Sequence, residues 1–403
     1  MACADQKKPD THQQTAECLQ SYFKEDLYVF PPQDSVKFKI IGIGESTHGS
    51  STLLKSRIKI TKQLIEKCGF RSVGIEACAD DVYELDNFIN KNYKEEIERI
   101  IFRMNYPFLA NEDFKEFILW LRDYNSTHKL SKVNIFGFDT SVSNAPVSSM
   151  ISFANKYSPV LADALDTLMG SVAKEGIYKY DKYRPNYLIP VDSALEEKVL
   201  LLKNLLQEER RDLIAASSIE DVELFEENLE MMGQLLARMK FSLSSIESQT
   251  IRDSSMYSNI RRRFENSMTN RIVVWAHNEH LYLDVQHPKR TLGYYLKAHF
   301  EGYFYNIGSD FGTGKYSINS FDGMKTEHAA ILDSSFSFYS SGGAFFEFSS
   351  LEYKCQTYVR VHSIPAINNS GSMEKGIRLS KSFDAFIFIP MSRELEFLKK
   401  NNQ

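Results

Sequence analysis

Residues 37–49 read KFKIIGIG and then ESTHG, a short apolar run that closes on Glu45, Ser46, Thr47, His48 and Gly49. The run is rich in β-branched residues and meets polar ones only at its end, as strands buried in a parallel sheet do. The same pattern recurs three times. SVGI at 72–75 runs into Glu76, VNIFGF at 133–138 ends at Asp139, and RIVVWA at 271–276 ends at His277, Asn278, Glu279 and His280. Groups that follow the carboxyl ends of neighbouring parallel strands converge on one crevice, where open α/β sheets hold their ligands. Four such endings along one chain predict an active site.

Helical patterns fill the gaps. Leu54, Ile58 and Ile65 keep helical spacing up to Gly69, a natural C-terminal cap. A second helix is expected through Val82, Leu85 and Ile89, and a third over 112–124 with Phe114, Phe117, Ile118 and Leu121 on one face. Strand–helix alternation implies right-handed crossovers. The fold class expected is therefore α/β, a central mostly parallel sheet flanked by helices. Between Asp139 and Arg271 the pattern changes. Leu195, Val199, Leu202 and Leu206 recur at helical steps, as do Val222, Phe225, Leu229, Met232, Leu236 and Met239. They predict two long amphipathic helices, paired and joined near 215–218. The expected organisation is a catalytic core of 1–140 and 265–403 with a helical insertion at 141–264. That insertion is placed to act as a lid or substrate wall, although covering the sheet edge would need no more. Later, 292–298 reads as helix, and 303–307, 316–319 and 384–389 read as strands.

With 403 residues, 43% of them hydrophobic, the chain can bury one large core with an insertion. A net charge of −5 argues against a broad phosphate-binding face, so no nucleic-acid partner is expected. No apolar stretch approaches the roughly 20 residues of a membrane span. Five scattered cysteines without a CxxC pair predict neither a disulfide framework nor a cysteine-rich zinc site. MACADQKK at the start carries no apolar signal core and reads as cytoplasmic. A trimmed, lipid-anchored terminus at Cys3 is the minority alternative. A monomer is expected.

Histidine titrates near neutrality, which makes His48 a candidate general base. Glu76, at the mouth of a buried strand, needs a partner. It could be His48, held in one tautomer, or an arginine such as Arg57. Glu45 could tune His48 by charge, and Arg57 could reach back to an oxyanion. His277 and His280, three apart, could share a helical face and either bind a metal or protonate a leaving group. Asp139 suits a supporting carboxylate or a helix cap equally. The chain has no GxSxG elbow, Walker A loop, GxGxxG or HExxH, so histidine and carboxylate chemistry on water remains.

Together these residues resemble the erythromycin esterase family. The resemblance is carried by GESTHG at 44–49, Arg57, the segment Gly69, Phe70, Gly74, Ile75 and Glu76, WLRDYN at 120–125, GFD at 137–139, RDSSM at 252–256 and WAHNEH at 275–280. It runs from about residue 35 to 393. It implies hydrolytic opening of a macrolide lactone by activated water, hence macrolide resistance, without a covalent enzyme ester or a cofactor. It also implies His48 as base, Glu76 as its carboxylate partner, and Glu45, Arg57, His277 and His280 as the remaining catalytic positions. Glu279 stands where small residues are common in the family, and residues 105–108 where relatives carry tryptophans. Tyr106, Phe108 and Glu279, with Met232 of the insertion, are therefore the expected substrate contacts. Two rivals stand beside this reading. One is a metal-dependent hydrolase using His48, Glu76, His277 and His280 as ligands. The other is a non-catalytic protein that sequesters a hydrophobic ligand.

Overall fold

All four strand endings lie side by side in the computed structural model. It describes residues 23–24, 37–91, 93–104, 106–140, 145–175, 193–242, 244–267, 269–283, 289–320, 323–330, 336, 343–348, 359–364 and 374–399. Cys3, Asn105 and the first part of the insertion, 141–144, lie outside the described residues.

The chain begins with β1 (Phe23–Lys24), β2 (Ile40–Glu45), α1 (Ser51–Cys68), β3 (Ser72–Ile75) and α2 (Ala79–Asn90). It continues through α3 (Ile97–Arg103), α4 (Glu112–Thr127) and β4 (Asn134–Gly137). Five helices follow, α5 (Ala145–Tyr157), α6 (Pro159–Glu175), α7 (Ser193–Ala216), α8 (Ile219–Met239) and α9 (Ile246–Asn266). Then come β5 (Ile272–His277), α10 (Asn278–Leu281), α11 (Leu292–Phe300), β6 (Phe304–Ser320) and β7 (Gly323–Ala329). The remaining elements are β8 (Ala344–Glu347), β9 (Val359–His362), β10 (Glu374–Ile377), α12 (Leu379–Ser382) and β11 (Ala385–Ser392).

The main sheet is mixed, with mostly parallel strands, in the order β1-β8-β11-β6-β2-β5-β3-β4. All neighbours from β11 to β4 are parallel, while β8 and β7 run antiparallel to β11 and β6. Apolar runs without alternation are explained by burial on both faces. Val273 and Trp275 of β5 join one core layer, against Ile65, Phe114 and Phe117. Ile272 and Val274 join the other, against Leu292, Leu296 and Phe386. α1 starts where the Ser50 hydroxyl accepts from the Leu53 amide and stops at Gly69, whose φ of 71° is the left-handed conformation expected of a glycine cap.

Register fixes the site. Glu45 pairs with His277 across β2 and β5, and Ile75 pairs with Gly137 across β3 and β4. Glu76, His48 and Asp139 are thus delivered to the same edge.

The insertion forms a helical bundle with a core of its own, including Leu165, Leu202, Phe225 and Leu236. Two residues, Ser217 and Ser218, connect α7 to α8, which packs back along it. α9 carries the bundle two residues past the expected boundary at 264 and reaches the sheet. One sequence expectation fails in β6. The strands read at 303–307 and 316–319 are one 17-residue strand. It pairs with β2 and β11 along its first part and with β7 from Gly314 onward. Gly314 takes a φ of 123°, a region that favours glycine, and a Cβ there would lie 2.2 Å from the Ser392 carbonyl oxygen. Among the described residues, no helix is long and apolar enough to cross a membrane.

Candidate active site

The turn after β2 is shaped by close packing. A Cβ on Gly49 would fall 1.8 Å from the carbonyl oxygen of Ser317 in β6, and one on Gly44 would fall 2.3 Å from Asn278 Oδ1. Glycines flanking a polar turn permit close approach of other chain segments. What approaches is β6 and the Asn278 amide, which seat the turn on the sheet.

On this turn His48 Nδ1 lies 2.8 Å from Glu45 Oε1. The other Glu45 oxygen lies 2.5 Å from Arg57 Nη2, and that guanidinium stacks over Trp275 at 4.7 Å. Burial works against the charge on Glu45, yet Arg57 and His48 together hold its carboxyl below the usual value. With Nδ1 given to Glu45, the Nε2 of His48 is the ring nitrogen left for chemistry. This corrects one expectation: the carboxylate that orients His48 is Glu45. The alternative partner proposed for Glu76, Arg57, is also taken by Glu45.

Glu76 is held by a second network. Its Oε2 accepts the His277 amide at 2.7 Å, and its Oε1 accepts from Arg252 Nη2 at 2.9 Å. Arg252, on α9, also grips Asp139 with two bonds, Nε to Oδ1 at 2.8 Å and Nη2 to Oδ2 at 2.7 Å. Asp139 is thus a supporting carboxylate, a role left open by the sequence. Burial opposes ionisation of Glu76, but His280 and Arg252 keep it well below the usual carboxylate range.

The two later histidines differ in kind. His277 Nε2 donates to the Ser46 carbonyl at 2.9 Å and its Nδ1 accepts the Glu279 amide at 3.2 Å, so both nitrogens are used. Burial, with His48 close by, pushes its pKa down to about 4. It is a neutral ring that fixes the turn and caps α10. His280 Nδ1 bonds Asp253 of α9, and its Nε2 lies 2.9 Å from Arg252 Nη1 and 3.3 Å from Glu76 Oε1. Burial depresses it, but the Asp253 and Glu76 carboxylates outweigh that and raise its pKa. The neutral ring presents its lone pair to Arg252. The protonated ring turns the same nitrogen into a donor to Glu76.

Glu45, His48, Arg57, Glu76, Tyr106 and Phe108 are among the residues lining a cavity of about 20 Å³. That is room for about one water molecule. Tyr106 and Phe108 flank the His48 ring at 5.6 and 5.7 Å between centroids, and burial keeps the Tyr106 phenol well above its usual value. Two of the expected substrate contacts sit elsewhere. Glu279 takes the Ser363 hydroxyl at 2.5 Å and lies 3.4 Å from Lys375 Nζ. Met232 packs into the bundle's own core, beside residues such as Leu229 and Leu236. Neither lines the cavity at His48. The roof there comes from residues 106–109, while the insertion supplies Arg252 and Asp253 behind Glu76.

Arg252 and Asp253 carried no chemical role in the sequence reading. The available signal was that Asp253, Met256 and Ile260 fall at helical spacing, which puts the charged pair beside a buried face. Among the described residues, no three His, Cys, Asp or Glu side chains are grouped to hold a metal ion.

Comparison with known proteins adds the family. The model for erythromycin esterase matches residues 65–392. Glu76, Arg252, Asp253, His277 and His280 fall inside that span, whereas Glu45, His48 and Arg57 precede it. A solved Bacillus cereus protein superposes with a TM-score of 0.77 at 18% identity, covering 97% of this chain and 100% of that one. A succinoglycan biosynthesis protein gives 0.76 at 15%, with the same coverage. A mutant of the erythromycin esterase EreC, in its open conformation, gives 0.66 at 16%, covering 91% of this chain and 94% of that one. These likenesses show a shared fold.

Proposed function

Because this chain belongs to the erythromycin esterase family, we propose that it hydrolyses the lactone ester of a macrolide with a water activated by His48. One observation carries the reading: the His48–Glu45 pair opens onto a water-sized cavity whose far wall is the charged carboxylate of Glu76. In this account Glu45 accepts from Nδ1 and leaves the Nε2 lone pair facing the water. His48 takes the water's proton as its oxygen adds to the ester carbonyl. The resulting imidazolium is stabilised by Glu45 and Glu76 and returns the proton to the alkoxide as the carbon–oxygen bond breaks. No covalent enzyme ester forms. Arg57 anchors Glu45, while His280 and Arg252 keep Glu76 charged and Asp139 holds Arg252 in place.

A cavity of about 20 Å³ cannot hold a macrolide, since sites for drug-sized ligands measure about 300–1,000 Å³. Residues 106–109 therefore lift away to admit substrate over His48 and Glu76. A related EreC structure is described as open, and the same kind of opening is inferred here. Tyr106 and Phe108 then contact the ring directly. Residues 1–140 and 265–403 serve as the catalytic core and 141–264 as the insertion that shapes the pocket. The chemistry is carried by side chains alone, without a metal. Incubating the protein with a panel of macrolides should yield products one water heavier by mass spectrometry. No such product from any of them, with the protein folded, would refute the substrate assignment.

A further inference from the structure

Hydrolysis at His48 leaves one developing charge without a donor. When water adds to an ester carbonyl, the carbonyl oxygen becomes an oxyanion, and N–H or O–H groups aimed at it are usually the largest single contribution to the rate. Four side chains that line the His48 cavity carry such groups, His48, Arg57, Tyr106 and Trp275.

Three of them are committed. His48 has its Nδ1 at Glu45, and its Nε2 is the nitrogen that takes the water's proton. The Trp275 indole donates to Thr61 Oγ1 at 2.9 Å. The Arg57 guanidinium lies over that indole with Nη2 at Glu45 and its Nε buried.

Tyr106 is not. It stands at the start of the roof, just before the single 3₁₀ turn Pro107–Leu109, and meets the His48 ring edge-on. Among the described residues its hydroxyl has no hydrogen-bond partner. The charges that act on the phenol are the site's own, Glu76 and then Glu45 against Arg57 and Arg252. Its oxygen therefore sits among the reacting groups. Burial first, and then the two carboxylates, hold the proton on it. The phenol thus enters the reaction as a neutral O–H donor, whereas a phenolate would repel the oxyanion.

We propose that Tyr106 is a catalytic residue whose hydroxyl donates a hydrogen bond to the ester oxygen as the tetrahedral intermediate forms. The role rests on hydrolysis by water that His48 activates, and it goes beyond the ring contact assigned to the roof. As the water oxygen bonds to the carbonyl carbon, its proton passes to His48 and the carbonyl π pair moves onto the oxygen. The phenol keeps its own proton throughout. When that pair returns, the bond to the leaving alkoxide breaks and the hydrogen bond weakens. Because the donor rides on the roof, the site is complete only once residues 106–109 settle over a bound ester.

Tyr106→Phe removes the hydroxyl and keeps the ring. The full-length protein and this variant are compared on p-nitrophenyl acetate, a small activated ester, counting only the rate that His48→Asn abolishes. The melting temperature should not change, since the hydroxyl holds no protein group. The variant's kcat should fall about 10²–10³-fold with KM little changed. The pH profile of kcat/KM should keep its shape, because the base is still His48. A raised KM with kcat intact would make Tyr106 a substrate contact only and overturn the proposal. So would an unchanged kcat, or a lower melting temperature, which would show the hydroxyl bonded within the protein. Absence of His48-dependent turnover of this ester would overturn it together with the hydrolytic reading. A macrolide panel that fails while the small ester is cleaved would refute the substrate assignment alone.

Discussion

Replacing His277 with glutamine should flatten the acid sensitivity of the fold. An unfolded chain protonates this imidazole at its ordinary value of 6.5, whereas the folded site resists until about 4, because burial and His48 disfavour the charge. As pH falls through the unfolded value, the unfolded state gains protons that the native state refuses, so stability is lost. Between about pH 7.5 and pH 5 the two values imply a loss of about 2 kcal/mol from this one ring. His280 acts in the opposite sense, since its raised pKa adds stability at low pH that is lost as pH rises through the folded value. Comparing wild type with the variant cancels that contribution. Urea unfolding followed by tryptophan fluorescence suits the measurement, because Trp275 is buried in β5. The wild type should lose about 2 kcal/mol more than His277→Gln over this pH span. A stability gap between the two proteins that does not change with pH would mean that the ring is not held neutral, and the assigned hydrogen bonds would be wrong.

Glu45→Gln leaves the Arg57 guanidinium buried without its carboxylate and should cost about 3–5 kcal/mol in urea unfolding. Adding Arg57→Met should recover most of that loss, and no recovery would show that the pair is not coupled. Asp253→Asn removes a carboxylate that raises the His280 pKa and should lower the pH at which His280 titrates, read from its ring protons by NMR. An unmoved titration would remove Asp253 from the network. Gly49→Ala drives a methyl into the Ser317 backbone and should cost about 3 kcal/mol or more, measured by denaturation. Gly302→Ala, which meets nothing within 4 Å, should be nearly silent.

The sheet was legible because burial on both faces leaves long apolar runs and places the chemical groups where those runs end. Glu45, Glu76, Asp139 and His277 were found that way. Which carboxylate serves His48 was not legible, because the turn after β2 sets it: Glu45 and His48 stand three positions apart outside any helix. Arg252 and Asp253 were hidden by their setting, since α9 buries polar residues such as Ser248, Asp253 and Asn259 on its inner face. A buried polar stripe gives a weak amphipathic signal. Met232 was placed wrongly for the opposite reason. Its spacing with Leu229 and Leu236 located the helix correctly, and that spacing also assigns it to the bundle core. Residues 303–307 and 316–319 read as separate strands because Gly308, Gly312 and Gly314 interrupt the apolar pattern between them.

The central claim is that His48 is the base that activates water, and the direct measurement is the hydrolysis rate of His48→Asn beside wild type on one accepted macrolide. Asparagine nearly preserves the shape and removes the base. With the variant's melting temperature unchanged, the account predicts a rate loss of about 10²–10⁴. Near-normal turnover by the folded variant would contradict it.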